Sequence, residues 1–332
     1  MKLIHKLIPF WLSVCMMMLL LPTAHAADEA VELLERMNHA ARTLNYQGVF
    51  SYQAGRNLQS IKIYHRADED GELERLIALN GPAREVIRTN DKVTCINPEG
   101  RQINISPRPL GSGFPSDLPR KVSSALPYYE LSFQGESRVA GRNARELLIS
   151  PVDEYRYGYR LWVDTETDLL LKTQLLATDG EVLEMFAFSS IQTDVEIGDE
   201  KLQSRLDGDE MVLNRTDKQS SSDIEQQSRL SRWDVTWLPE GFSLVALQTR
   251  LRASNGAEVE QRVYSDGMSS VSVFIEKILS KHRHLQGATQ MGGINAYGNI
   301  IHSHFITVVG EVPGRTVEKI GASIQFVDID QP

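Results

Sequence analysis

Between residues 28 and 44, apolar side chains recur at spacings of three and four. Leu34, Met37, Ala41 and Leu44 form the stripe, and Ala30 and Leu33 widen it; Glu32, Glu35, Arg36 and Arg42 fill the opposite side. That period predicts an amphipathic helix. After Asn45 the period changes to two. Short alternating runs over 46–53, 58–65, 73–79, 84–88, 92–97 and 101–105 are separated by turn residues such as Gly55-Arg56-Asn57, Asn80-Gly81-Pro82 and Pro98-Glu99-Gly100. Regular punctuation of this kind predicts an antiparallel β meander.

The stretch 107–119 breaks the pattern with prolines and glycines around Leu110 and Phe114 and reads as a loop, with a short helix over 116–125. Strands resume over 128–133, 137–139, 144–149, 157–164, 169–178 and 182–189. From 194 to 227 the chain is polar and its apolar residues are scattered, the composition of a linker, partly mobile. Beyond Trp233, strands are predicted over 242–252, 258–265, 271–278 and 302–309, with a closing helix over 316–326. The organisation expected is a signal segment (1–26), a large β domain (27–200), a polar linker (201–228) and a small domain (229–332).

The first residues carry an export signal. Lys2 and Lys6 precede an apolar run over 7–21, and Ala24-His25-Ala26 offers small residues at a cleavage site. The layout is that of a secretory signal peptide, and a run of about 15 residues is short of the roughly 20 that a spanning helix needs. Cleavage would remove Lys2, Lys6 and Cys15, taking the net charge from −9 to −11 and leaving Cys95 as the lone cysteine. Such a chain has no electrostatic reason to bind nucleic acid or anionic membrane. It also has no internal disulfide, so its stability rests on its cores.

Candidate chemistry is sparse. His282 and His284, and His302 and His304, are pairs two residues apart, a spacing that puts both rings on one face of a strand. No cysteine or paired carboxylate completes a metal set, and Lys281 and Arg283 oppose a cation. There is no Gly-x-Ser-x-Gly elbow, and nothing activates Ser112. Cys95 reads as a buried thiol. Asp164, Glu166 and Asp168 lie in a hairpin turn, where acidic residues are routine. Asp207, Asp209 and Glu210 resemble half of a calcium loop without its downstream ligands, and Gly292-Gly293 with Gly298 lacks the setting of a nucleotide loop. No catalytic residue, cofactor or metal is expected.

Several strands carry apolar side chains on both faces, unlike a sheet wetted on one side. Phe50, Tyr52, Leu76, Leu161, Trp162, Leu170, Phe186 and Phe188 line either the packed core of a barrel or a groove for an acyl chain or apolar segment. Trp233 and Trp237 serve either the core of the small domain or a partner, aromatic residues being common at hot spots. Arg250, Arg252, Arg262 and Arg283 are candidates for meeting acidic spots on a partner.

Certain runs in combination resemble a known family. They are Tyr46-Gln-Gly48-Val-Phe50-Ser-Tyr52, Gly81-Pro82-Ala-Arg84-Glu85, Tyr157-Gly-Tyr159-Arg160-Leu161-Trp162-Val163-Asp164, Trp233-Asp-Val-Thr-Trp237-Leu238-Pro239-Glu-Gly241-Phe242, Tyr264-Ser265-Asp266-Gly267-Met268 and Val308-Val309-Gly310-Glu311-Val312-Pro313. The set resembles the RseB/MucB family across the chain that follows the signal, with Asn80 where the family usually has Asp. The resemblance implies a mainly β fold: a LolA-like open half-barrel wrapped round helices, plus a smaller C-terminal sheet domain with a helix. It implies a non-enzymatic periplasmic regulator whose partner is the periplasmic region of an RseA/MucA-type anti-sigma factor. Binding would shield that region from regulated proteolysis, and lipid or lipopolysaccharide would enter the large domain and loosen the complex. A lipid or lipoprotein carrier of the LolA type is the alternative. Self-association is left open.

Overall fold

The computed structural model describes residues 22–69, 71–90, 92–97, 125–206, 209–214, 220–251, 256, 258–278 and 286–327. Helix α1 (Pro22–Thr43) is followed by β1 (Tyr46–Ala54), β2 (Asn57–Asp68), β3 (Gly71–Ala78), β4 (Glu85–Thr89) and β5 (Lys92–Asn97). A 3-10 turn (Leu126–Tyr128) leads into β6 (Tyr129–Val139), β7 (Arg142–Pro151), β8 (Gly158–Asp164), β9 (Leu170–Leu176) and β10 (Val182–Thr193). The predicted strand over 101–105, the loop over 107–119 and most of the predicted helix over 116–125 lie outside the described residues.

With β11 (Asp209–Asn214), these strands make one eleven-stranded antiparallel sheet in the order β11-β5-β4-β3-β2-β1-β10-β9-β8-β7-β6. Helix α1 lies against it. The side chains of Leu33, Leu34 and Met37 are at most 1 % exposed and join Leu147, Ile149, Tyr159, Leu161 and Leu170 in one core cluster. Burying each such side chain stabilises the fold by roughly 1.5–3 kcal/mol. The mainly β class and the large open sheet are therefore as read from the chain. The readings 128–133 and 137–139 are one strand, β6, interrupted by a bulge between Phe133 and Gly135, where Gly135 has φ +120°. Asn80, the departure from the family pattern, accepts from the Ser60 N–H at 2.7 Å and donates to the Leu58 carbonyl. An aspartate would supply only the first bond.

The expected linker is not featureless. It holds helix α2 (Asp199–Leu202), the edge strand β11 and helix α3 (Ser221–Leu230). Leu202 is buried, and β11 pairs with β5 from Asp209 opposite Asn97 to Asn214 opposite Lys92. In β11 the apolar Met211, Val212 and Leu213 follow one another without alternating, so the run gives no period-two signal and its pairing decides it.

After β12 (Trp233–Val235), the small domain consists of β13 (Ser243–Leu251), β14 (Glu258–Ser265), β15 (Ser270–Lys277), β16 (Gly287–Met291), β17 (Ile294–Ile301), β18 (His304–Gly310), α4 (Gly314–Ala322) and β19 (Ile324–Phe326). Six strands form a sheet in the order β13-β14-β15-β18-β17-β16, and β12 pairs with β19. The closing helix thus ends at Ala322 and not at Phe326. Its core unites Val271, Val273, Ile275, Ile306, Val308, Val317 and Ile320.

Candidate functional site

Strand register gathers most of the candidate groove residues. Phe50 stands opposite Phe188 and Ile61, Tyr52 opposite Phe186, and Leu76 opposite Ile63. Cross-strand partners share a face, so Phe50, Tyr52, Phe186 and Phe188 form one aromatic floor. Phe50, Phe186 and Phe188 contact one another at centroid distances of 4.7–5.8 Å. These rings and Leu76 are buried in a second cluster that includes Trp162, with Lys172 Nζ 4.0 Å from the Trp162 ring. Leu161 and Leu170 belong instead to the cluster under α1. The floor has a polar end: Glu74 and Arg88 form a buried ion pair at 3.3 Å, and the Tyr46 ring stacks on His65. Burial, then the Glu74 charge, push the Tyr46 hydroxyl pKa well up.

Tyr52 is linked to the small domain through Glu184. Its hydroxyl donates to Glu184 Oε2 at 2.5 Å, and Glu184 Oε1 accepts the Gly293 N–H at 3.1 Å. The Gly292-Gly293 pair is the turn between β16 and β17, seated on the ends of β9 and β10. A Cβ on Gly293 would meet Leu175 Cδ2 at 2.5 Å, which explains the glycine there.

The larger junction is built by the segment 152–157 between β7 and β8. Arg156 is fully buried. Its Nε donates to Asp266 Oδ2 at 2.6 Å, and the other guanidinium nitrogens bond Asp153 Oδ2 and the Glu240 carbonyl. The guanidinium carbon lies 4.8 Å from the Tyr128 ring centroid and 5.1 Å from that of Phe242. Burial alone would lower the Arg156 pKa; the bond to Asp266 and the Asp153 charge reverse this and leave it raised. Asp266 is fully engaged as well. Its Oδ1 accepts the N–H groups of Met268 and Ser269, while the Tyr129 hydroxyl lies 3.4 Å from Oδ2 and 3.2 Å from Ser269 Oγ. Burial first, then the Asp266 charge, raise the Tyr129 pKa.

Tyr155 extends the junction. Its ring meets Trp237 edge-on at 5.0 Å, its carbonyl accepts Thr316 Oγ1 at 2.9 Å, and its hydroxyl bonds Lys319 Nζ, which also lies 4.0 Å from the Trp237 ring. Glu154 pairs with Arg315.

Trp237 therefore serves this junction, and Trp233 is buried in the small-domain core against Phe326 and His304. Arg262, read as a surface candidate, is 3 % exposed. It bonds Glu260 Oε1, Ser231 Oγ and the Trp233 carbonyl, each at 2.7 Å. Arg250 is exposed and its guanidinium bonds the neighbouring Gln248 side chain. Arg252 and Arg283, like His282 and His284, lie outside the described residues. Asp164, Glu166 and Asp168 are held in ion pairs: Asp164 and Glu166 with Arg142, Asp168 with Arg36. Among the described residues no group of His, Cys, Asp and Glu could hold a metal ion, and no helix is long and apolar enough to cross a membrane. Arg156 and Asp266 carried no sequence signal of their role, although Asp266 stood within one of the quoted motifs.

An open antiparallel sheet packed on a helix, joined through a buried polar junction to a smaller sheet-and-helix domain, defines a two-domain protein of mainly β architecture. The chain belongs to the MucB/RseB family: residues 29–206 match the MucB/RseB N-terminal domain and residues 227–325 the MucB/RseB C-terminal domain. It is 32 % identical to the sigma factor AlgU regulatory protein MucB of Pseudomonas aeruginosa, over 92 % of this chain and 93 % of that one. It is 27 % identical to the sigma-E factor regulatory protein RseB of Escherichia coli K12, over 91 % and 92 %. Among solved structures, the MucA/MucB complex of Pseudomonas aeruginosa aligns with TM-score 0.72 and 29 % identity, over 90 % of this chain and 99 % of that one. MucB alone aligns at 0.60 with 28 % identity, over 90 % and 98 %.

Proposed function

We propose that this chain is a periplasmic negative regulator of a sigma factor and that it acts by binding, without catalysis. Its partner is the periplasmic segment of a MucA/RseA-type anti-sigma factor, which it shields from the protease that would otherwise cut it. The observation that carries the reading is the likeness to MucB as found with MucA, TM-score 0.72 over both domains, against 0.60 for MucB alone. The family's relatives, named for sigma-factor regulation, support the same reading over nine-tenths of the chain.

Lipid or lipopolysaccharide sensing belongs to the large domain. The aromatic floor of Phe50, Phe186 and Phe188 has the chemistry to receive acyl chains, but its side chains are buried, so a lipid must displace packed neighbours to enter. A ligand that favours one arrangement of the two domains and a partner that favours another lower each other's affinity by the same factor. The charge of −11 expected after signal cleavage, derived from −9 for the whole chain, fits a periplasmic protein that binds neither nucleic acid nor anionic membrane. Arg250, exposed on the edge strand β13, is a candidate for an acidic spot on the partner.

Titration calorimetry of the chain from Ala27 with the periplasmic segment of the host's anti-sigma factor tests this, run with and without lipopolysaccharide. Binding at micromolar Kd or tighter, weakened by the lipid, is expected. Binding indifferent to lipid would remove the sensing role, and no binding by folded protein would remove the regulator.

A further inference from the structure

The turn at residues 265–269 of the small domain does two things at once. Asp266 takes the buried Arg156 guanidinium of the large domain. Two residues on, Met268 is 9 % exposed and is counted among the side chains of the large-domain core, with Leu33, Leu34, Met37, Tyr129, Tyr157 and Leu161. A side chain from one domain thus completes the hydrophobic core of the other. Asp266 Oδ1 fixes the connection, because it accepts the Met268 and Ser269 N–H groups at 2.8 and 2.7 Å while Oδ2 holds Arg156. Neither Met268 nor Arg156 can leave without the other's support changing.

We infer that the 265–269 turn is a plug, through which docking of the two domains and closure of the large-domain core are a single event. The physical argument rests on what separation would expose. Arg156 and Asp266 are both fully buried, and parting such a pair strands two charges unless both reach water together. Partial opening is therefore disfavoured. The arrangement has one docked state with the core sealed and one undocked state with the core open where Met268 sat. Anything that inserts apolar matter into that core beside α1 competes with Met268 and so acts on domain docking. This inference stands on the junction geometry alone and does not depend on the identity of the partner.

The test uses the whole chain from Ala27 in a Cys95→Ala background, with spin labels at Asp179→Cys and Thr249→Cys, exposed positions on the large and small domains. Pulsed dipolar spectroscopy reads the inter-domain distance, and the fluorescence of an anilinonaphthalene sulfonate dye reads exposed apolar surface. The unmodified junction should give one narrow distance and little dye binding. Arg156→Met should broaden the distance and raise dye fluorescence several-fold together, with the circular dichroism of both sheets retained. Should Arg156→Met not fold, Asp266→Asn keeps the side-chain outline and the Oδ1 bonds, and it is expected to produce the same paired change in milder form. A narrow distance in the folded variant overturns the plug. So does a broadened distance with unchanged dye binding, because docking and core closure would then be separate.

Discussion

Asn295 Nδ2 donates to the Tyr157 hydroxyl across the domain junction at 2.8 Å, and it donates equally to the Val312 carbonyl of its own domain. The contact ties the start of β17 to the residue just before β8. Both side chains are buried, and burial raises the Tyr157 pKa although the Asn295 bond opposes it. Tyr157→Phe removes one partner and leaves Asn295 bonded to Val312. The expected cost is about 1 kcal/mol, the net worth of one neutral hydrogen bond, read as a lowered urea midpoint with unchanged slope. A loss several times larger would mean that the hydroxyl has a further role.

Arg262 and Arg250 should separate cleanly. Arg262→Met leaves the Trp233 carbonyl without this buried donor and Glu260 with Ser231 Oγ, and because Glu260 is 18 % exposed the cost should fall at or below the about 3–5 kcal/mol of breaking a fully buried pair. The small domain should unfold at lower denaturant, followed by the fluorescence of Trp233 and Trp237. Arg250→Ala on the exposed edge should leave stability within about 0.5 kcal/mol. A loss of affinity for the anti-sigma segment in Arg250→Ala would then report a contact, and full affinity would strike Arg250 from the binding surface.

Two glycines make a matched pair. Gly241 has φ +84°, and a Cβ there would run into the ring of Tyr128 in the other domain. Gly180 has φ +87° with nothing within 4 Å of such a Cβ. Gly180→Ala should cost only the left-handed backbone penalty of roughly 1–2 kcal/mol. Gly241→Ala should cost clearly more in thermal denaturation, because Tyr128 also faces the Arg156 guanidinium. Equal losses would show that Tyr128 moves aside freely.

Burial pushes the Cys95 thiol pKa up, with Arg84 opposing. Because the folded value is the higher one, this group's contribution to stability is present below the thiol pKa of the unfolded chain and fades as pH rises through the folded one. Native protein at pH 8 should alkylate with iodoacetamide at least about tenfold more slowly than in urea, thiolate being the reactive form. Equal rates in both would contradict a buried thiol.

Periodicity made α1 and most strands legible because the choice between helix and strand is local. Leu33, Leu34 and Met37 are apolar at helical spacing, and Val271, Val273 and Ile275 at strand spacing, and each set ends up buried. What lacked a local signature was missed. β11 holds its apolar Met211, Val212 and Leu213 in one unalternating run, β16 is mostly exposed, and the three-residue strands β12 and β19 exist through pairing with each other. Residue type left Trp237 to either the small-domain core or a partner and marked Arg262 as a partner candidate, without revealing the internal contacts that each makes in the fold.

By itself, the chain determined its β-rich class, its helix and the family motifs, since all of these are written in residue type and spacing. Only the tertiary structure decided that Arg156 meets Asp266, residues separated by 110 positions, and that Met268 fills the core of the other domain. The physical reason is that neither contact has a period. An arginine is polar wherever it stands, and its burial becomes favourable only when two domains bring a carboxylate, a carbonyl and aromatic rings to it at once.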